Sequence, residues 1–404
     1  MVDLAYNASF ALFGHSRLQA IFMGSIRALL AISVLITHSD PIFGIQLMNG
    51  DMAITCFFMI SGFLMGLILE TKYHHIGPFY LNRILRIYPA YLMALLFTAV
   101  VLGLMGSKDH DPFKLWGWLW ESGDWLGMMY TALANVALLG IDLSRYVGVM
   151  DHGNVVFPAF LFPESNGGHN LLLVPQAWTL ALELEFYLIA PFVVRLRTFW
   201  LILLTLGLAM ASVVAQSLLR GTLDLAAVFP AQVHFFLFGV LAWRGYRVLQ
   251  AHPKALGSAR PLVTWGMVGL SLAFVIFAYR IQQHQNSLGQ LVVYGVFAAT
   301  IPFLFTVSRR SNLDKWIGEF SYPIYLFHFG VVQFLNWIVP RAWSGESTLL
   351  LTLALCALYI LVIDRPLQAR RARIANRDAG ARTSSMAPQI FLETGPPEQG
   401  RPPQ

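Results

Sequence analysis

Long apolar runs, broken by short clusters of basic residues, set the pattern of this chain. They recur near 18–38, 52–70, 87–106, 178–195, 199–217, 228–245, 262–280, 289–307, 321–340 and 348–364. A helix rises about 1.5 Å per residue, so about twenty apolar residues cover a hydrocarbon core of roughly 30 Å. Only helices or closed barrels satisfy their backbone in such a core. Barrel strands would alternate with period two over about ten residues, and these runs are too long and too evenly apolar for that. The pattern predicts an all-α polytopic transmembrane bundle of about ten spans.

The loops set an orientation. "TKYHHIGPFYLNRILR", "RLRTF", "WRGYRVLQAHPKALGSAR", "SRRSNLDK" and "RPLQARRARIANR" carry most of the Lys and Arg, and such loops face the cytoplasm. A further apolar patch, 125–141, would put the later basic loops outside if it crossed. Residues 107–177 are therefore expected on the outer side, with 125–141 interfacial or re-entrant and Trp116, Trp118, Trp120 and Trp125 at headgroup depth. Both termini then lie in the cytoplasm. The first run contains Arg27 and has no small-residue cleavage site after it, so it is expected to stay as the first span. Residues 1–366 read as one membrane domain. The tail, 367–404, turns basic and then Pro-, Gly- and Ser-containing, ending "TGPPEQGRPPQ", and is expected to be disordered.

Composition agrees: 57% hydrophobic residues, 12% charged residues and a mean hydropathy of +0.61 lie outside the soluble globular range. The net charge of +6 sits in membrane-facing loops and the tail, and does not suggest nucleic acid. Cys56 and Cys356 both fall inside apolar runs and read as small hydrophobes, with no disulfide and no metal site expected.

Several charges lie inside the spans, where each costs at least about 2.5 kcal/mol unless it is paired or hydrated. Arg27 is about nine residues deep, and either snorkels to the surface or faces a polar cavity. His38, eleven residues on, shares its helix face about 16 Å away. In "FFMISGFLMG", Ser61 and Gly62 permit close helix packing. Arg83 and Arg86 in "RILRIYP" are one turn apart, either as ordinary positive flanking or as a fork for phosphates. "AWTLALELEFYLIAP" puts Glu183 and Glu185 just inside an outer helix end, and "SYPIYLFH" buries Tyr322, Tyr325 and His328. Buried Arg, His and Glu also suit a proton-coupled transporter, although no inverted repeat or paired broken helix is visible.

Taken in order, these motifs resemble the acyltransferase-3 family of integral membrane O-acyltransferases. The family's Arg or Lys, ten residues and His appears as Arg27 and His38. Its "FFxxSGF" appears as "FFMISGF", its Arg-x-x-Arg with "xYP" as "RILRIYP", its "WTLxxExxFYxxxP" as "WTLALELEFYLIAP", and its "SYxxYLxH" as "SYPIYLFH". There are two departures: Leu184 stands where a second Glu is common, and "DRP" at Asp364 replaces Glu-x-Pro.

The resemblance implies transfer of an acyl group, most often acetyl from cytoplasmic acetyl-CoA, to a hydroxyl outside, usually on a glycan or glycolipid, in a bacterial inner membrane. No fused esterase-like domain is expected, so the acceptor or a partner protein would receive the group directly. On this basis Arg83 and Arg86 are expected to hold CoA phosphates, with Arg27 and Ser61 on the donor path. His38 is expected to be the general base, since an imidazole with a pKa near about 6.5 accepts a proton at neutral pH. Glu183 is expected to orient its ring, and His328 is a second candidate base. A small hydrophobic acceptor such as a macrolide or lipid is the alternative. Oligomeric state is not legible.

Overall fold

A computed structural model describes residues 23–385 apart from short stretches at 74, 106–109, 152, 220–224, 226–227, 283–286, 310 and 340–342. A helix lies over each apolar run. In chain order these are α1 Met23–Thr37, α2 Gly50–Thr71 and α3 Ile76–Met105, then two short helices, α4 Pro112–Ser122 and α5 Trp125–Ala132. The chain continues as α6 Trp178–Val193, α7 Thr198–Leu218, α8 Phe229–Ala251, α9 Arg260–Gln282, α10 Ser287–Ser308, α11 Asn312–Ile338 and α12 Gly345–Tyr359. A π-turn over Ile360–Asp364 leads into α13, Arg365–Ser385. Among the described residues, six helices are long and apolar enough to cross a membrane, and the fold is an all-α membrane bundle. The predicted start of the first span at 18, and the tail from 386, lie outside the described residues.

Two pairs of helices approach closely because glycine removes the side chain between them. A Cβ on Gly62 of α2 would lie 1.9 Å from the Phe236 carbonyl oxygen of α8, and one on Gly239 would lie 1.9 Å from that of Met59. On α1, a Cβ on Gly24 would fall 1.8 Å from the Asp314 carbonyl oxygen of α11, with Gly318 beside it. Asp314 itself accepts from the Gly24 and Ser25 backbone N–H groups at 2.7 and 2.9 Å. Its carboxylate therefore caps donors that the start of α1 leaves unpaired. Such small-residue seams are how helices associate where lipid is as apolar as leucine.

The basic loops meet at one end of the bundle. Glu70 at the end of α2 accepts from Trp243 Nε1 at 3.0 Å and pairs with Arg244 at 3.1 Å and Arg247 at 2.7 Å. Arg244 also donates to the Val194 and Leu196 carbonyls after α6. The opposite end carries residues 110–177, which fold as α4, α5, short 3₁₀ turns and three two-residue strands. These are β1 Gly148–Val149, β2 Val155–Val156 and β3 Asn166–Gly167, antiparallel in the order β2-β1-β3. They enclose a small core of Leu115, Leu119, Val147, Val149 and Leu171. Asp124 caps α5 through the Gly127 N–H at 2.9 Å and also accepts from Val155 of β2, joining helix to sheet.

Two boundaries differ from the sequence expectation, and the patch 125–141, expected not to cross, agrees with it. Span three starts at Ile76, not 87, because the aromatic-rich stretch before "RILR" buries Phe79 and Arg83 inward instead of flanking the membrane. In the patch 125–141, α5 has only eight residues and gives way to a π-turn over Leu133–Ala137 and a left-handed Leu138, far short of a crossing. Disorder was expected from 367, yet the helix continues to Ser385. Pro366 directly follows the π-turn, whose wider hydrogen-bonding pattern accommodates the missing N–H within a continuous helical run. Asp364 accepts from Gln368 at 2.7 Å and Arg371 at 2.8 Å, one and two turns on.

Candidate active site

A cavity of about 160 Å³ opens among α1, α2, α3, α6 and α11. Most of its wall is apolar, from Ile54, Phe57, Phe58, Leu64 and Met65, but charge gathers on one side: Arg27 from α1, Arg83 and Arg86 from α3, and Glu183 from α6. The polar cavity expected around Arg27 is thus present, in place of snorkelling.

Glu183 is held by two hydrogen bonds in this wall. Ser61 Oγ donates to its Oε1 at 2.8 Å, and the Tyr187 hydroxyl, one turn along α6, donates to the same oxygen. Adjacent residues of one short motif do different work here. Gly62 lets α8 approach, while Ser61 turns to the carboxylate. Glu185, two residues from Glu183 on the helix, does not line the cavity.

The two arginines of "RILR" also differ. Arg83 is buried, with its guanidinium carbon 5.8 Å from the Phe79 ring centre and 5.6 Å from that of Tyr187. It donates to Asn82 Oδ1 at 3.2 Å, and its Nε is buried without a partner. Arg86, one turn on, is half-buried and faces both this cavity and a second one at the basic end of the bundle. Neither arginine is simple loop flanking: both lie within α3, which begins at Ile76, and both line the cavity.

At the end of the cavity nearer residues 110–177, Tyr325 bonds to Thr179 Oγ1 at 2.6 Å and to the Gln176 carbonyl, fastening α11 to the start of α6. Its ring centre lies 6.1 Å from that of His328, which lies 5.2 Å from His38. The two histidines, from opposite ends of the chain, form a pair. His38 Nδ1 is 3.0 Å from the Val34 carbonyl and His328 Nδ1 is 3.2 Å from that of Ile324. A carbonyl can only accept, so each Nδ1 carries a proton, and in the neutral ring the lone pair lies on Nε2. His38 is exposed at the end of α1, while His328 is fully buried and its Nε2 has no hydrogen-bond partner.

The predicted residues therefore fall into two groups. Arg27, Ser61, Arg83, Arg86 and Glu183 share the cavity, and His38 and His328 pair with each other. Glu183 is not brought to His38. It faces α2 from within α6, engaged by Ser61 and Tyr187, and His38 is not among the cavity residues. Tyr187 joins the site without being singled out by the sequence motifs, although its i, i+4 spacing from Glu183 is legible there. The second cavity brings in Lys315, Glu319, Gln368 and Arg371, which no local pattern signals.

Residues 21–363 match the family described as an acyltransferase domain. The chain is similar to the peptidoglycan O-acetyltransferase OatA of Listeria monocytogenes serovar 1/2a (strain ATCC BAA-679 / EGD-e). The two are 22% identical over 388 residues, an alignment covering 88% of this chain and 56% of that protein. The chain thus spans about half the length of this curated relative. No solved structure matches it.

Proposed function

The chain belongs to the acyltransferase-3 family, and from that premise we propose that it moves an acyl group, acetyl in the first instance, from cytoplasmic acyl-CoA to a hydroxyl of an extracytoplasmic glycan. The basic end faces the cytoplasm of a bacterial inner membrane and the outer end presents His38. Family membership sets the transporter alternative aside.

One relationship carries this proposal: a cavity with cations at one end of α1 is linked through Tyr325 and His328 to a lone-pair-bearing imidazole at the other. The apolar wall suits an acyl-pantetheine arm, and Arg27 and Arg86 suit the anionic part of the donor. His38 Nε2 takes the proton as the acceptor oxygen attacks the thioester carbonyl. The C–S bond breaks, and the thiolate takes that proton and leaves as free CoA. His328 holds the partner ring in place.

That the relative is a peptidoglycan O-acetyltransferase favours a glycan acceptor. The test is the O-acyl ester content of surface glycans, by NMR, in cells lacking the gene and complemented with wild type or His38→Ala at matched membrane expression. Loss of one ester signal, restored by wild type alone, is expected. An unchanged ester profile in the deletion strain would overturn the glycan assignment and point to a small hydrophobic acceptor.

A further inference from the structure

Behind the acyl cavity lies a second one of about 240 Å³, and the two share Arg27, Arg86 and Tyr322. Its character is opposite. The first is lined mostly by apolar side chains, whereas the second is lined by four cations, Arg27, Arg86, Lys315 and Arg371, and two carboxylates, Glu319 and Asp364. Four against two leaves an excess of two positive charges around a small space.

Both oxygens of Asp364 are occupied within its own helix, Oδ1 by Arg371 and Oδ2 by Gln368. Arg371 spends one terminal nitrogen on this pairing, and a guanidinium has five N–H donors. Its backbone carbonyl accepts from Asn82 Nδ2 at 3.0 Å, and Asn82 Oδ1 accepts in turn from Arg83. A short polar chain thus ties α13 to the acyl cavity through α3. The helix following Asp364 is a wall of the site, not an appendage.

We propose that this second cavity is a phosphate-binding vestibule that takes the phosphorylated nucleotide end of acyl-CoA on Arg86, Lys315 and Arg371, leaving the first cavity for the acyl-pantetheine arm. This rests on the donor assignment above and deepens it. Arg83, clamped between the Phe79 and Tyr187 rings and bonded to Asn82, positions the shared wall and does not itself meet the phosphates. Arg86 stands at the junction, where pyrophosphate and arm would part. The same phosphate chemistry is offered by an anionic lipid headgroup, so the test separates the two sources.

The full chain is placed in phosphatidylcholine nanodiscs, and calorimetry measures binding of CoA, 3′-dephospho-CoA and pantetheine. Wild type, Lys315→Ala and Arg371→Gln are compared, with thermal unfolding confirming that each is folded. Lys315 is exposed, so its variant keeps the test open if Arg371→Gln fails to fold. Each variant is expected to weaken CoA about tenfold, the size of one charge-assisted hydrogen bond, and to leave pantetheine binding unchanged. Unaltered CoA affinity in folded Lys315→Ala overturns the vestibule while leaving the donor assignment standing. Wild type that binds no CoA overturns the donor assignment itself. If replacing a third of the lipid by phosphatidylglycerol abolishes CoA binding in wild type but not in Lys315→Ala, the cavity is a headgroup site and the proposal fails.

Discussion

His38 and His328 stack obliquely, with 5.2 Å between ring centres and 45° between planes, and each is anchored through Nδ1 to the carbonyl four residues before it. The anchoring fixes the same tautomer on both rings, so the free lone pair of each lies on Nε2. Only His38 is exposed. One ring is thus exposed while the other lies against it inside the bundle.

His38→Ala is therefore expected to lower transfer of radiolabelled acetyl by at least about a hundredfold, the lower end of what a positioned base contributes, with CoA affinity unchanged. His328→Asn is expected to cost less, and mainly in turnover instead of acceptor KM, because its ring positions His38. Equal losses of CoA binding in both variants would show that the pair does not act on the acceptor side.

Glu183 is held by two donors on one oxygen, Ser61 and Tyr187. A hydrogen bond to a charged group contributes about 1.5–3 kcal/mol, and a carboxylate left short of donors in an apolar wall costs more. Ser61→Ala and Tyr187→Phe are each expected to lower stability by about 1–3 kcal/mol in detergent unfolding. Ser61→Thr, which keeps the hydroxyl, should recover most of the loss. A purely steric role for Ser61 predicts the opposite order, with alanine tolerated and threonine not.

The helices were legible because a membrane imposes a minimum length and a near-absence of charge, both visible in one dimension. The pairing of Glu183 with Tyr187 was legible too, from helical spacing alone. What the sequence hid is tertiary. Nothing local in "RILRIYP" says that Arg83 turns inward between Phe79 and Tyr187 while Arg86 faces two cavities. Nothing in the hydrophilic stretch after Pro366 says helix, since its order rests on Asp364 engaging Gln368 and Arg371 and on Asn82 reaching across from α3. The expected contact of Glu183 with the His38 ring was not legible for a related reason: the Glu183 carboxylate is engaged by Ser61 and Tyr187, and proximity of two helix ends does not mean a shared pocket.

The glycine seams give a sharp steric test. Gly62→Ala would place a methyl 1.9 Å from the Phe236 carbonyl oxygen, and Gly24→Ala one 1.8 Å from that of Asp314. Backbone cannot yield by that much without parting the helices, so each variant is expected to lose about 3 kcal/mol or more, or to fail to accumulate in membranes. Gly207→Ala is the control. It lies on the exposed face of α7 with nothing within 4 Å of the added carbon, and is expected to leave the folded yield unchanged, as measured by monodisperse recovery on size exclusion.

Residues 110–177 should loosen in acid, and His110 supplies the reason. The residue is buried before α4, with Nε2 2.8 Å from the Leu172 carbonyl and Nδ1 3.4 Å from Asn170 Oδ1. Burial holds its imidazole below the ordinary histidine range, outweighing the opposing effect of those acceptors and of Asp111. Between that lowered value and the unfolded value of about 6.5, the unfolded segment binds more protons than the folded one, so stability rises with pH across this window. The contribution is complete above about pH 6.5 and is lost progressively as the pH falls toward the folded value. Backbone hydrogen exchange in this region, corrected for the intrinsic rate, is expected to speed up between about pH 7.5 and 5.5, while α2 and α8 keep their protection. His110→Gln should flatten the dependence, because it removes the titrating group and retains a side chain that can donate to Leu172. An equally steep profile in His110→Gln would assign the acid sensitivity to another group.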